Sequence, residues 1–242
     1  MPELLTRLLV GLAAAVFMLA SARAAPKFED TIAQRMLACS VCHGAQGRAA
    51  PDGYYPRIAG KPAGYLFNQL RKVRDGRRHY ELMEGLVDRL SETYLQEIAG
   101  YFSALELPYL PPAALQLTDA QRQRGEALVL RGDGARQLPS CSECHGRAMT
   151  GTAPNVPGLL GLPRDYLNAQ LGAWKTGQRR ALAPDCMAQV ARRLGDDDVA
   201  AITGWLASQP LPGDNRAPGT VPARAGTSLA CGSAPELGGS TR

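Results

Sequence analysis

The chain has 242 residues, of which 45% are hydrophobic and 20% charged, with a formal net charge of +5. That charge is mild and its basic residues are scattered, which argues against a nucleic-acid partner. It suits ordinary solubility, an acidic partner surface or an anionic membrane face equally. The length allows two small domains.

The chain opens on a targeting pattern. Arg7 precedes an apolar run of 13 residues from Leu8 to Ala20, and Ala22-Arg23-Ala24 reads as an A-x-A cleavage site. A cleaved signal peptide over 1–24 is expected, with export to the periplasm. The alternative is an uncleaved anchor facing the periplasm, but the run is shorter than the roughly 20 apolar residues a spanning helix needs. Export sets an oxidising compartment.

A helix is expected over 28–38, with Ile32, Met36 and Leu37 at helical spacing. Behind it stands Cys39-Ser40-Val41-Cys42-His43. A second copy, Cys141-Ser142-Glu143-Cys144-His145, follows about one hundred residues later. C-x-x-C-H is the attachment site of a c-type haem, whose vinyl groups take both cysteines as thioethers and whose iron takes the histidine. A single C-x-x-C would also suit zinc or thiol redox chemistry. Two copies behind an export signal point to two covalently bound haem c groups on Cys39, Cys42, Cys141 and Cys144.

The text between the motifs repeats. Pro56 to Pro62 matches Pro157 to Pro163, Tyr65 to Leu70 matches Tyr166 to Leu171, and Gly76 to Arg78 matches Gly177 to Arg179, all at an offset of 101. The haem histidines stand one residue further apart (145 − 43) and Met83 and Met187 three further (187 − 83). A repeat of this length is a duplicated domain. Each half reads as helical: middle helices over 65–73 and 166–174, and closing helices from Ser91 and from Asp196. Thr118 to Gln121 forms a capping box that opens a helix through Leu130. No run alternates as a half-buried strand does. Pro108, Pro111 and Pro112 stiffen a linker, and the Pro/Gly-rich chain after Gln209 has too little apolar surface for a core.

An electron carrier fills both axial positions of its iron, and a histidine with a thioether is one such pair. His43 and His145 supply nitrogen. Met83 and Met187 hold matching places shortly before each closing helix, so they are the expected sulfur ligands. Met36 reads as core, and Met149 stands too close to His145 to reach the opposite face. His79 is a rival for the first iron, but the second half has no equivalent. Pro56 and Pro157 suit the task of fixing each proximal ring through a carbonyl. Arg77, Arg78, Arg179 and Arg180 could pair with haem propionates or form a solvated face.

C-x-x-C-H, P-x-x-x-G, Y-L-x-x-Q-L, G-x-R and a methionine, all twice over 28–209, resemble the dihaem cytochrome c4 family. The resemblance implies an all-α fold of two tandem class I cytochrome c domains. With it, domain 1 is expected over 25–107 and domain 2 over 118–210, while composition gives a proline linker over 108–117 and a disordered tail over 211–242 that departs from the family pattern. The resemblance implies a carrier, not an enzyme, between a quinol-oxidising complex or dehydrogenase and a terminal oxidase. A dedicated haem subunit of a membrane or dehydrogenase complex is the alternative. A dihaem peroxidase fits less well, since it needs an open iron and each half offers a methionine. Cys186, directly before Met187, and Cys231, in the tail, depart from the family pattern. They could bridge and tie the tail over the second methionine loop, for a chain-entropy gain of about 4 kcal/mol.

Overall fold

The computed structural model describes residues 29–49, 54–109, 111–112, 114–219 and 229–237, with Glu3. The expected signal segment otherwise lies outside the described residues. No helix among the described residues is long and apolar enough to cross a membrane. The chain divides into a unit ending at Arg35 and a compact unit from Met36 onward, which holds both halves of the repeat.

Ten helices are named here in chain order. The helix expected over 28–38 is in two pieces, α1 (Ile32–Arg35) and α2 (Leu37–His43). The first half continues with α3 (Ala63–Arg74), α4 (Glu81–Val87) and α5 (Glu92–Ser103). The second half holds α6 (Asp119–Arg131), α7 (Cys141–His145), α8 (Arg164–Thr176), α9 (Cys186–Arg193) and α10 (Asp196–Ser208). The repeat is thus visible as structure: α2 answers to α7, α3 to α8, α4 to α9 and α5 to α10.

Local chemistry sets the ends of these helices. Ser91 Oγ accepts from Tyr94 N at 3.2 Å and opens α5. Thr118 and Gln121 form the expected capping box of α6, at 3.2 and 3.1 Å. Along α5, Leu95, Ile98, Ala99 and Phe102 recur at helical spacing and are buried against α3. In the second half α10 packs on α6 and α8 around Leu128, Val129, Leu167, Ile202 and Leu206. Met36 and Met149 are both buried core residues.

Two features depart from the expectation. A two-stranded antiparallel ladder, β1 (Gly151–Thr152) with β2 (Val156–Pro157), sits just behind α7. Two residues per strand are too few to show alternation in the sequence. Second, the tail is not uniformly without order. Cys231 and Ala234 are buried, and Cys186 is bonded to Cys231. Composition predicts disorder for that segment, but the covalent tie and a small apolar cluster with Val156 hold it in place. Residues 220–228 and 238–242 of the tail lie outside the described residues.

The linker is pinned rather than free-standing. Arg57 donates to the carbonyls of Pro108 and Leu107, and its guanidinium lies 3.9 Å from the Tyr109 ring centroid.

Candidate haem sites

Each C-x-x-C-H motif lies on a short helix that ends at its histidine. Gly44 and Gly146 then turn the chain away at φ 74° and 79°. The histidine rings are buried and anchored alike. His43 Nδ1 donates to Pro56 O at 2.9 Å, and His145 Nδ1 donates to Pro157 O at 2.7 Å. A carbonyl can only accept, so the proton is fixed on Nδ1 and Nε2 is left as a lone-pair donor. Burial holds both rings below the usual imidazole range, against the opposing pull of the carbonyl bond. A neutral ring with a free Nε2 is the form that binds a metal. In the second half the β1–β2 ladder holds Pro157 in place for this bond.

None of the four motif cysteines is in a disulfide. Burial pushes Cys141 up to about 12 and Cys144 up to about 11, and it raises Cys39 as well. Thiol redox motifs need the opposite shift, because the thiolate is their nucleophile.

The second half shows its site as one cavity. Cys141, Cys144 and His145 line it, and Met187 of α9 lines it too. Leu128, Leu138, Leu162 and Ile202 contribute apolar wall. Arg57, Lys61, Lys72 and Arg179 also border the cavity, and among the described residues no Asp or Glu does. Trp174 Nε1, on its wall, is buried without an acceptor. A flat apolar group with two carboxylates and a metal that takes nitrogen and sulfur fits this donor set. The carboxylates would answer the orphaned indole N–H and the unbalanced cations.

In the first half, Met83 is half-buried in the first turn of α4, as Met187 is in that of α9. His79 is on the surface, with Nδ1 2.7 Å from Glu84 Oε1.

The arginine pairs divide between the two expected places, a solvated face for Arg77 and Arg180 and the border of the second cavity for Arg179. Arg77 and Arg180 are exposed, but Arg179 is buried and Arg78 half-buried where the halves meet. Neither inner arginine is part of a solvated face. Arg78 bonds Gln69 and Gln170 at 3.2 and 3.1 Å, and Arg179 bonds the same pair at 2.9 and 2.6 Å.

Lys61 and Lys72 escaped the sequence reading. They belong to the first half but border the second cavity, and Lys61 Nζ donates to Gly158 O at 3.2 Å. Their signal in the repeat is a lysine where the other half has Leu162 and Ala173.

No family model matches the chain. It is 41% identical over 173 residues to a thiosulfate dehydrogenase electron acceptor of Thiomonas intermedia, covering 72% of this chain and 79% of that one. It is 32% identical over 171 residues to cytochrome c4 of Pseudomonas aeruginosa, covering 69% of this chain and 82% of the relative. Among solved structures, a thiosulfate dehydrogenase of Marichromatium purpuratum matches with a TM-score of 0.62 and 33% identity, over 72% of this chain and 36% of the longer one. Reduced cytochrome c4 from Pseudomonas stutzeri matches with a TM-score of 0.62 and 27% identity, over 72% of this chain and 94% of that one.

Proposed function

Since the chain belongs to the cytochrome c4 family of dihaem electron-transfer cytochromes, we propose that it accepts electrons from a sulfur-compound dehydrogenase in the periplasm and delivers them towards a terminal oxidase. The two covalently bound haem c groups supply reversible one-electron chemistry at iron. In this reading Cys39, Cys42, Cys141 and Cys144 hold the porphyrins. His43 with Met83, and His145 with Met187, would each supply a nitrogen and a sulfur to one iron. Pro56 and Pro157 orient the proximal rings through their carbonyls. The thioethers would favour reduced iron, and an iron held by both a histidine and a methionine would leave no place for peroxide to bind.

The protein's own residues then do three things. Apolar side chains exclude water from the second site. Arg57, Lys61, Lys72 and Arg179 balance propionate charge there. The Arg78–Arg179 contact holds the halves together, which keeps the transfer path within one chain short. Domains over 25–107 and 118–210, the linker 108–117 and a cleaved signal over 1–24 complete the proposal. So does association with a membrane surface through the net positive charge.

The observation that carries the dehydrogenase reading is the 41% identity to a protein named for that role. The solved neighbour that is itself a thiosulfate dehydrogenase supports it. A quinol-oxidising complex as donor is the second reading, favoured by the likeness to cytochrome c4 itself. Rapid mixing of the oxidised holoprotein with thiosulfate dehydrogenase and thiosulfate decides between them. Fast appearance of the reduced haem spectrum supports the proposal. No reduction by that pair, with ready reduction by a quinol-oxidising complex, contradicts it.

A further inference from the structure

We propose that the C-terminal segment Leu229–Leu237 is a fitted wall of the second haem site, and that its bond from Cys231 to Cys186 positions Met187. The inference rests on the reading of Met187 as an iron ligand.

Four observations meet here. Leu229, Cys231, Ser233, Ala234 and Leu237 border the same cavity as His145 and Met187. Cys186 is the first residue of α9, and Met187 is the second. The segment also lies directly on the loop that leads into α9: Gly232 N donates to Pro184 O at 2.9 Å, and Leu182 N donates to Ser233 Oγ at 3.0 Å. Contact is so close at Gly232 that a Cβ would stand 2.2 Å from Ala183 O. Finally, Asn68 from the first half donates to Ser233 O at 3.2 Å, and Asn155 donates to Glu236 at 3.0 Å. The wall is thus held by both halves as well as by sulfur.

The first half lacks this arrangement. There the methionine helix α4 is capped by Glu84, which accepts from Tyr80 N at 2.9 Å. Its Leu82 and Leu86 remain 63% and 59% exposed. In α9 the residues at the matching places are Cys186 and Val190, and both are packed. A two-turn helix with polar caps at one end has little rigidity of its own. In the first half it is held by Glu84, by the buried Val87 and by packing against α3. In the second half Asp185 caps α9 by accepting from Ala188 N at 2.9 Å, and α8 packs against it. The strap adds a covalent tie to these, so the sulfur of Met187 is placed in part by a residue 44 positions away (231 − 187). Loosening the strap should cost the iron its thioether and lower the potential of that haem alone.

The test is the methionine–iron charge-transfer band of the oxidised holoprotein, read with a redox titration. Cys231→Ser and Gly232→Val are compared with Met187→Ala. The expected result is that both strap variants keep two haems per chain and lose about half of the band, the share of one haem in two. One of their two potentials falls and the other stays. If a strap variant folds poorly, the wild-type protein serves: its disulfide is reduced with a phosphine, the thiols are capped with iodoacetamide, and the irons are reoxidised with ferricyanide. A full-strength band and two unchanged potentials after the strap is cut, with half the band lost in Met187→Ala, overturn the strap's role. A full band in Met187→Ala overturns the ligand reading and the strap's role with it.

Discussion

Arg78 and Arg179 face each other as an antiparallel backbone pair, and each guanidinium bonds both Gln69 and Gln170. The four residues are two copies of one pair, since Gln69 and Gln170 stand at the same repeat offset as the arginines. Duplication has therefore placed the same cation and the same acceptor on both sides of the contact. The flanking backbone bonds follow the same local symmetry: His79 N donates to Gln178 O at 2.9 Å, and Arg180 N donates to Arg77 O at 2.7 Å.

Gln69→Leu removes one acceptor from both guanidiniums, taking the Gln69 bond from Arg78 Nη1 and leaving Arg179 Nη2 with Tyr65 Oη alone. The expected cost is about 2–3 kcal/mol. Guanidinium unfolding of the holoprotein, followed by the visible haem spectrum, should show an earlier midpoint. An unchanged midpoint would mean that the contact contributes nothing to stability.

Close approach of the halves also depends on Gly64. A Cβ at that position would lie 2.4 Å from Asn155 Oδ1 and 2.8 Å from Pro154 O. Gly64→Val should force the halves apart and slow electron exchange between the haems. Both haems should still be bound, as pyridine haemochrome analysis can check. Electron exchange at the wild-type rate would count against a tight junction here.

Lys72 bears on the second site. Burial, and then Arg179, pushes its amine down to about 8, so it is still charged at neutral pH. A cation beside the second site favours the reduced state, in which the iron carries less positive charge. Lys72→Met should lower the potential of the second haem on the order of 60 mV, which is tenfold in the equilibrium for one electron. Spectroelectrochemistry resolves this against the first haem. A fall in the first potential instead would contradict the assignment of the cavity.

Asp198 predicts a pH dependence. It accepts from Arg124 at 2.9 Å and from Arg136 at 2.7 Å, and it is largely buried. Burial raises its pKa, but the two arginines and Gly195 N more than offset this and hold it below 3.8. The folded state thus binds a proton less readily than the unfolded one. The resulting stability is complete above about pH 4 and drains away as the pH falls through the lowered value. Acid titration of the melting temperature should show a loss below about pH 4 that Asp198→Asn largely abolishes. A variant with the wild-type acid limb would show that other carboxylates govern it.

The parts of the molecule set by local chemistry were legible in the sequence. C-x-x-C-H marks haem attachment wherever it falls. The capping box at Thr118 and the spacing of Leu95, Ile98 and Phe102 mark helices within one or two turns of chain. Arg57, Lys61 and Lys72 were not legible as site residues, because they serve a cavity in the other half of the fold. Only their mismatch with Gly158, Leu162 and Ala173 hints at it. Order in the tail was legible only through its cysteine. The Cys186–Cys231 bridge could be read as a possibility, whereas the fit of Gly232 against Ala183 could not, and composition alone predicts no order there.

The most direct test of the whole account is the charge-transfer band of the oxidised wild-type holoprotein, scaled to its haem content. Two nitrogen–sulfur axial pairs predict a band worth two haems, reduced to one by Met83→Ala. A band worth one haem or none in the wild type, or full strength after Met83→Ala, would contradict it.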